Sequence, residues 1–536
     1  MVVDGTGNPW FKADIAIANG KIFKIGNLVA ETADIKIDAE KHIVCPGFFD
    51  MHSHSDFTLL VNSLAESKIR QGVTTEVIGN CGSSAAPLND LLKEDIQGTM
   101  PLLEEADLEL TWETLGQYKK ILQSKGVALN VAPLVGNSNI RVAVLGFENR
   151  QATLDELEEM KKVLAQAMRD GAFGMSTGLI YPPSCYADID EIVELAKISC
   201  SFGGIYASHI RGEGSTLIDA VREAIEIGRR ARIPVEISHH KASEQANWGK
   251  VKGTLQMLEK AREQGIDITC DVYPYVAGST GLDALLPPTS YEGGVERLIE
   301  RLKDQESRKK IKEVMTGENR DNQYKAWGTP DWSKIKISYC REHPEFEGQS
   351  IEEIARRRKL DPFEFVFDLL IETKASARII LFIIREEDMQ YVLKHRLSMI
   401  GSDSSALATY GILAKGNPHP RAYGTFPRIL GKYVRKKKIL TFERAIQKMT
   451  SFPAQKLKLM NRGLIREEMQ ADIVILDKKK VIDEATYLDP HKYPKGIEYV
   501  LVNGKIVIKH GKHTKTLPGE VLTPIRQEKT QKHVLD

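Results

Sequence analysis

Two histidines, His52 and His54, stand two residues apart at the end of an apolar segment, residues 43–49. The segment predicts a short buried strand, and side chains two positions apart on a strand point to the same face. Such a pair can offer a metal ion two imidazole ligands at once. A His-x-His pair on its own is equally compatible with a surface loop, so the interpretation depends on ligands elsewhere in the chain.

Four further candidate residues each follow a predicted strand, and they are Cys81, His209, His239 and Asp403. Thiolate, imidazole and carboxylate groups are the ligands that Zn²⁺ prefers in proteins. Any one of these residues alone would more often be structural, as a buried cysteine or a turn-capping aspartate is. Because all of them occur at strand ends, the sequence predicts a site for one or two Zn²⁺ ions.

The strands that must position these residues alternate with helices. Helical periodicity is clearest at residues 155–169, 216–230 and 251–264. Eight strands in a repeating βα order predict a closed (β/α)8 barrel with its active site at the C-terminal strand ends, and an open doubly wound sheet is the alternative. The predicted strands are residues 43–49, 74–78, 129–134, 171–175, 205–208, 235–238, 268–271 and 399–401.

The two ends of the chain predict a second, smaller domain. Short β-like runs surround Asn19-Gly20 near the start and Asn503-Gly504 near the end, and Asn-Gly is typical of a two-residue hairpin turn. We predict that the termini pair into one β-sandwich. The predicted boundaries are 1–45 and 455–520 for the sandwich, 46–454 for the barrel, about 287–351 for a lid inserted in the barrel, and 521–536 for a C-terminal tail.

The composition argues against several classes of protein. The chain has 536 residues and 42% hydrophobic side chains, and its 74 Lys and Arg against 73 Asp and Glu leave no global field for nucleic acid or an anionic membrane. Its six cysteines lack Cys-x-x-Cys spacing, and no apolar stretch approaches the roughly 18 residues of a membrane helix. The first residues do not have the pattern of a signal peptide. We therefore predict a soluble cytoplasmic protein that binds neither nucleic acid nor a membrane.

The chain resembles the metal-dependent amidohydrolase superfamily and, within it, the N-acyl-D-amino-acid deacylases, or D-aminoacylases. The resemblance extends over nearly the whole chain, and its most specific motif is Gly79-Asn80-Cys81-Gly82. The segments that carry it are residues 4–10, 46–56, 72–82, 176–183, 238–241, 271–275, 401–403 and 419–426.

This resemblance implies a zinc centre with a cysteine ligand. Many binuclear members of the superfamily bridge their metals with a carbamylated lysine, but the predicted fourth strand contains no lysine and Cys81 can take that place. By resemblance, Cys81, His209 and His239 hold a tightly bound Zn²⁺, whereas His52 and His54 line a second, weaker site.

The resemblance also implies roles for residues beside the metal. Asp403 would be the general base that accepts a proton from metal-activated water and then passes it to the departing amine. Lys241, Arg421 and a tyrosine would bind the α-carboxylate of the substrate. The tyrosine is Tyr273 or Tyr275, since positions two apart share a face.

The expected reaction is hydrolysis of the amide bond of N-acyl-D-amino acids, which yields a carboxylate and a free D-amino acid. Opening of a cyclic amide, as in dihydroorotases and hydantoinases, and cleavage of a dipeptide are alternatives. A catalytically inactive barrel that serves as an interaction module is a third, but such a protein would be expected to lose metal ligands. Two departures from the family pattern, Asn137 and Ser404, are expected to alter acyl or side-chain preference, or the substrate itself.

Overall fold

The computed structural model of the protein describes residues 1–317 and 330–525. Part of the predicted lid, residues 318–329, and most of the predicted tail, residues 526–536, lie outside the described residues. The strands, β1 to β19 in chain order, are Asp14–Ala18, Lys21–Gly26, Ile43–Pro46, Phe48–Asp50, Val73–Ile78, Asn130–Pro133, Val135–Gly136, Gly174–Gly178, Ile205–His209, Val235–Ile237, Ile268–Val272, Gly278–Gly281, Ile335–Tyr339, Arg378–Leu381, Ser398–Ile400, Ile473–Leu476, Ile497–Val502, Lys505–Lys509 and Lys512–His513.

The helices surround these strands and connect them. The α-helices, α1 to α18 in chain order, are Thr58–Val61, Glu66–Ile69, Asp90–Thr99, Pro101–Glu105, Leu115–Lys125, Asn137–Leu145, Leu154–Arg169, Ile189–Ser201, Leu217–Ala231, Val251–Glu263, Val295–Lys303, Gln305–Thr316, Ile351–Arg358, Pro362–Glu372, Glu386–Lys394, Arg421–Arg428, Phe442–Met449 and Ser451–Lys456. A π-helix at Ile429–Lys436 continues α16. In the described part of the chain, no helix combines the length and the apolar character that crossing a membrane requires.

Eight strand positions form a closed parallel barrel. Two groups of hydrogen-bonded strands, β4-β5-β6 and β7-β8-β9-β10-β11-β15, make up its wall. Between β6 and β7, the Leu134 amide donates to the Ile78 carbonyl at 2.9 Å, so these two short strands occupy one position. The Met51 amide donates to the Ile400 carbonyl at 3.1 Å and joins β4 to β15. The predicted barrel is confirmed.

The helices outside the barrel follow the predicted periodicity. In α9, Leu217, Val221 and Ala224 are buried at intervals of three and four residues, which places them on one face of the helix. The helix α7 begins with a capping box between Thr153 and Glu156. The three predicted helices differ from α7, α9 and α10 by one residue at some of their ends. Amphipathic spacing was sufficient to locate them.

Two strand predictions differ from the structure. Residues 43–49, predicted as one strand, are divided at Gly47 into β3, which pairs with β16, and β4, which enters the barrel. The predicted fourth strand, residues 171–175, is Gly174–Gly178 instead. Both segments are buried on both faces, so no alternation of polar and apolar residues marks where a strand ends or changes its partner.

The two ends of the chain form the smaller domain. A five-stranded antiparallel sheet has the order β19-β18-β17-β16-β3, and β1 and β2 form a separate hairpin. Val2, Ile22, Val44 and Ile473 belong to one apolar cluster that joins the hairpin to the larger sheet. A small β-sandwich built from both termini is therefore present, while its boundaries remain a prediction.

An insertion after β11 has an apolar core of its own. Its three-stranded sheet has the order β12-β14-β13, and helices α11 to α14 pack against it. The apolar cluster extends from Leu282 to Leu381, a longer segment than the predicted lid. Residues of this insertion and of the barrel strand ends line the same cavity.

Candidate active site

The five predicted metal ligands and Asp403 converge at the C-terminal ends of the barrel strands. The ligand atoms of Cys81, His209 and His239 all lie within 4.8 Å of one another. A second group with the same spacing contains the ligand atoms of His52, His54, Cys81 and Asp403. The Cys81 Sγ atom lies 3.2 Å from His52 Nε2 and 3.5 Å from His239 Nε2. Cys81 therefore belongs to both groups.

The surroundings of His209 fit a metal ligand. Its side chain is buried, and neither ring nitrogen has a hydrogen-bond partner among the described residues. Buried polar atoms in folded proteins nearly always have a partner, so an imidazole without one requires an explanation. A thiolate and two imidazoles form a donor set that suits Zn²⁺. Cys81, His209 and His239 therefore fit a zinc ion.

Three residues of this centre adopt a left-handed backbone conformation. The φ angles are 53° at Cys81, 37° at His239 and 51° at Asp403. The left-handed conformation costs a residue other than glycine on the order of 1–3 kcal/mol. Residues that adopt it are concentrated at functional sites. Next to Cys81, Gly82 has a φ of +78°, and an added Cβ atom would lie 2.6 Å from the amide nitrogen of Gly178. The Asn-Cys-Gly motif therefore reflects a tight turn that directs the thiol inward.

Asp271 contacts the ring of His52 and the backbone of His239, and the sequence reasoning did not identify it as a site residue. Its Oδ2 atom lies 3.2 Å from His52 Nδ1, so the opposite ring nitrogen faces Cys81. Its Oδ1 atom accepts a hydrogen bond from the His239 amide at 2.9 Å. A carboxylate that contacts the second ring nitrogen of a ligand histidine, as Asp271 does at His52, is typical of metal sites. An acidic residue inside a fully buried barrel strand was the available signal.

Glu213 is a second residue that the sequence reasoning missed. It forms an ion pair with Lys241, and its Oε1 atom lies 3.0 Å from His239 Nδ1. Burial raises the pKa of Glu213, but the charges of Lys241 and the neighbouring histidines outweigh burial and hold it well below its usual value. Glu213 follows β9 in a loop, where neither spacing nor periodicity marked it.

The neighbouring imidazoles favour the thiolate form of Cys81. Burial by itself raises the pKa of a thiol, but positive charge on His52 and His239 lowers the pKa of Cys81 well below its usual value. The thiolate is the form of cysteine that binds metals. The charges around Cys81 thus favour the protonation state in which it can bind a metal.

Asp403 lies between the histidines and a guanidinium group. Its Oδ1 atom is 3.1 Å from His54 Nε2, and its Oδ2 atom is 2.7 Å from Arg421 Nη1. Burial raises the pKa of Asp403, but the charge of Arg421 and those of the histidines lower it well below its usual value. The carboxylate is therefore ionised at neutral pH.

The structure separates the two candidate tyrosines. The buried Tyr273 hydroxyl has no hydrogen-bond partner among the described residues, and the Arg421 guanidinium carbon lies 4.7 Å from the centre of its ring. Lys241 Nζ lies 5.8 Å from the same ring centre. Tyr275 instead donates to the Pro420 carbonyl at 3.3 Å and is not among the described residues that line the cavity. The structure brings Lys241, Tyr273 and Arg421 together at the cavity. Their role in binding remains a prediction.

A cavity of about 570 Å³ opens above the centre, between the barrel and the insertion. Of the two departures from the family pattern, Ser404 lines this cavity. Asn137 does not; it begins α6, and its Nδ2 atom donates to Ser184 Oγ at 3.3 Å. Only Ser404 is therefore positioned to contact a bound molecule directly.

A buried ionic network lies behind Asp403. Lys68 Nζ contacts Asp50 Oδ2 at 2.6 Å, and it donates to Ser402 Oγ and the Ser404 carbonyl, both at 2.7 Å. The Lys68 side chain is fully buried. Because Ser402 and Ser404 flank Asp403, this network holds the segment that carries the carboxylate.

We expect Lys68→Met to destabilise the protein by about 3–5 kcal/mol, because it leaves the buried Asp50 carboxylate without its counterion. Denaturation in urea, followed by circular dichroism, would measure the loss. Lys162→Met is the control, since Lys162 forms an exposed ion pair with Glu159 and its loss should change little. An unchanged unfolding midpoint for Lys68→Met would contradict the prediction.

Comparison with known proteins identifies the family. A model of the Amidohydrolase family matches residues 36–508. The chain belongs to the amidohydrolase family. Within it, this amidohydrolase is 35% identical over 521 residues to an N-acyl-D-glutamate deacylase of Alcaligenes xylosoxydans xylosoxydans, covering 97% of this chain and 94% of the relative. The resemblance to the N-acyl-D-amino-acid deacylases is thereby confirmed.

Solved structures give the same result for this amidohydrolase. A D-aminoacylase described as having a binuclear metal centre, with activation by one metal and attenuation by a second, aligns with a TM-score of 0.81 at 34% identity, over 97% of this chain and 98% of that one. An N-acyl-D-glutamate deacylase from Bordetella bronchiseptica, complexed with zinc and a phosphonate inhibitor, aligns with a TM-score of 0.80 at 32% identity, with the same coverage. The barrel and its additional domain are therefore those of this family.

Proposed function

We propose that the protein is a zinc-dependent deacylase that hydrolyses the amide bond of N-acyl-D-amino acids. The observation that carries this proposal is the position of Asp403, whose two carboxylate oxygens face His54 at the donor set and Arg421, respectively. A group that can accept a proton thus lies between a metal-binding centre and a cation suited to a carboxylate. The names of the aligned relatives support the same reaction.

Cys81, His209 and His239 would hold the tightly bound zinc ion, and His52 and His54 would line a second, weaker site. When bound, the ion supplies Lewis acidity toward the amide carbonyl and toward water. The position of His209, whose ligand atom lies within 4.8 Å of those of Cys81 and His239, supports the first assignment. The binuclear and zinc-containing structures of relatives support a centre of one or two metals.

Asp403 would move the proton in both halves of the reaction. Its ionised carboxylate accepts a proton from the attacking water and later donates it to the amine, which is a poor leaving group until it is protonated. The contact with His54 and the ion pair with Arg421 fix the orientation of the carboxylate. The Lys68 network holds the segment on either side of it.

Arg421, Lys241 and Tyr273 would bind the free α-carboxylate of the substrate. A guanidinium group binds a carboxylate through two parallel hydrogen bonds, and an ammonium group and a hydroxyl add further donors. The three side chains face the cavity beside the metal centre. This arrangement favours a linear N-acyl amino acid, which has a free carboxylate, over a hydantoin, whose ring has none.

We expect Arg421→Met to lower kcat/KM for an N-acyl-D-amino acid about 100-fold, because a buried charge pair with the substrate is lost. The measurement compares N-acetyl-D-leucine with N-acetyl-D-leucinamide, which lacks the carboxylate. The wild type should prefer the acid strongly, and the variant should lose most of that preference. An equal loss of activity toward both substrates would contradict the role of Arg421 in carboxylate binding.

A substrate panel tests the proposed function itself. The zinc-loaded protein would be assayed with N-acetyl-D-amino acids, their L-enantiomers, hydantoins and dipeptides. We expect hydrolysis of the N-acetyl-D-amino acids to be the fastest. Activity toward hydantoins or dipeptides alone would replace the proposal with one of the two other hydrolase reactions, and a metal-loaded protein inactive toward the whole panel would reject it.

A further inference from the structure

The buried ring of His419 makes a polar contact through each of its two nitrogens. His419 lines the cavity, is only 4% exposed and stands two residues before Arg421. The Arg421 amide donates a hydrogen bond to His419 Nδ1 at 3.0 Å. On the other side of the ring, Nε2 lies 3.0 Å from the carbonyl oxygen of Ala277. His419 therefore connects the start of α16 to the segment that follows β11.

These two contacts define the protonation state of His419. A backbone amide only donates, so Nδ1 must be the acceptor, and a carbonyl oxygen only accepts, so Nε2 must carry the proton. The ring is therefore neutral and has a single tautomer. In agreement with this, burial and the charge of Arg421 lower the pKa of His419 well below its usual value. A neutral ring adds no charge to the site, so its contribution to the site is geometric.

Two tyrosines hold the His419 ring in place. The ring centres of Tyr275 and Tyr487 each lie 5.1 Å from that of His419, at interplanar angles of 87° and 79°. Edge-to-face rings at this separation attract each other. Tyr275 follows the barrel strand β11, whereas Tyr487 lies between β16 and β17 of the terminal sheet. The barrel and the terminal segment therefore both fix the orientation of His419.

The guanidinium group of Arg421 is held by the segment that His419 contacts. Arg421 Nη2 donates to the carbonyl of Ser279, on β12, at 3.3 Å, and Ser279 is two residues beyond Ala277. Arg421 Nη1 lies 2.7 Å from Asp403 Oδ2, and the buried Nε has no hydrogen-bond partner among the described residues. The ring of His419 thus sets the distance between the Arg421 backbone and the strand that holds the far end of its side chain.

On the basis of the proposed deacylase function, we infer that His419 is a positioning residue for Arg421. Its neutral ring ties the Arg421 backbone to the segment whose Ser279 carbonyl holds the guanidinium, so that the guanidinium faces the substrate α-carboxylate. His419 acts through Arg421 and not on the reacting atoms. Its loss should therefore weaken binding of the carboxylate while the metal centre and proton transfer are retained.

His419→Phe tests the inference, because it keeps a planar ring and removes both hydrogen bonds. We expect KM for N-acetyl-D-leucine to rise at least about tenfold, as when one hydrogen bond to a charged group is lost, with kcat within about threefold of the wild type. Hydrolysis of N-acetyl-D-leucinamide and zinc content should not change. An equal loss toward both substrates would overturn this inference and leave the deacylase proposal intact. A wild-type protein inactive toward N-acyl-D-amino acids would reject both.

A double-variant cycle shows whether His419 acts through Arg421. In the Arg421→Met background, adding His419→Phe should leave the preference for the acid over the amide unchanged, because the group that His419 positions is already absent. A second fall as large as that in the wild-type background would overturn the inference. A structural defect would instead lower activity toward both substrates in both backgrounds, and that result would overturn the inference as well.

Two conservative variants separate the two hydrogen bonds. His419→Asn retains an acceptor for the amide two residues ahead, as in an Asx-turn, and should keep most of the preference for the acid. His419→Gln can still donate to Ala277 but loses the bond to Arg421, so it should lower that preference and replaces His419→Phe if the latter does not fold. An Asn variant as impaired as the Gln variant would overturn the assignment to the Arg421 amide.

His343→Phe is the matched control. His343 lies in the insertion with its side chain 25% exposed, and it does not line the cavity. We expect this variant to keep the KM of the wild type and its preference for the acid. A change in the control as large as that in His419→Phe would overturn the inference, since the effect would not depend on the contacts of His419.

Discussion

Asp403→Asn is expected to lower kcat by about 10²–10⁴-fold while leaving bound zinc unchanged, because the amide cannot accept a proton from water. The substitution preserves the shape of the side chain, so the cavity should keep its form. It also removes the charge that pairs with Arg421 in the free protein, which leaves the guanidinium more available to the substrate carboxylate. We therefore expect KM to stay the same or to fall.

This combination of effects separates a catalytic role from a structural one. Steady-state kinetics with N-acetyl-D-leucine, metal analysis of the purified variant and its circular dichroism spectrum are the three measurements. Asp219→Asn is the control, since Asp219 pairs with Arg222 on the surface and has a side chain that is 75% exposed. If Asp403→Asn kept kcat within tenfold of the wild type, the role assigned to Asp403 would be wrong.

Cys81→Ala is expected to weaken zinc binding at least about 100-fold and to abolish hydrolysis. Loss of a residue that only supports a metal ligand typically costs 10–100-fold in affinity, so loss of the shared thiolate should cost at least as much. Cys81 belongs to both groups of candidate ligands, and therefore neither group remains complete without it. Zinc content after dialysis and titration with zinc would measure the effect.

Two comparisons make this experiment specific. Cys45→Ala replaces a fully buried free cysteine, located in β3 of the terminal sheet, and should retain zinc. His54→Ala should also retain the tightly bound ion, because His54 belongs only to the second group. A Cys81→Ala protein that still binds one zinc ion as tightly as Cys45→Ala would exclude Cys81 as an essential ligand.

The sequence by itself determined the barrel and indicated that the five candidate metal ligands and Asp403 meet at its centre. Parallel strands in a βα repeat have their C-terminal ends on one side, so ligands that follow different strands must meet even when they are as distant in sequence as His52 and Asp403. The helices could also be predicted from the sequence, because the spacing of Leu217, Val221 and Ala224 depends only on local geometry. Local patterns and topology therefore predicted that these six residues share the site, but not that Asp271 and Glu213 do.

Only the tertiary structure decided how those residues are paired. The alternation rule gave Tyr273 and Tyr275 the same face, but β11 ends at Val272, and beyond that strand the rule no longer applies. The contacts of Glu213 with His239 and of Arg421 with Asp403 join segments that no local pattern relates. No local pattern marks the change of strand partner at Gly47 or selects the acidic residues that face the cavity. Pairing, charge balance and the shape of the cavity arise from packing between distant segments, which the sequence of each segment does not specify.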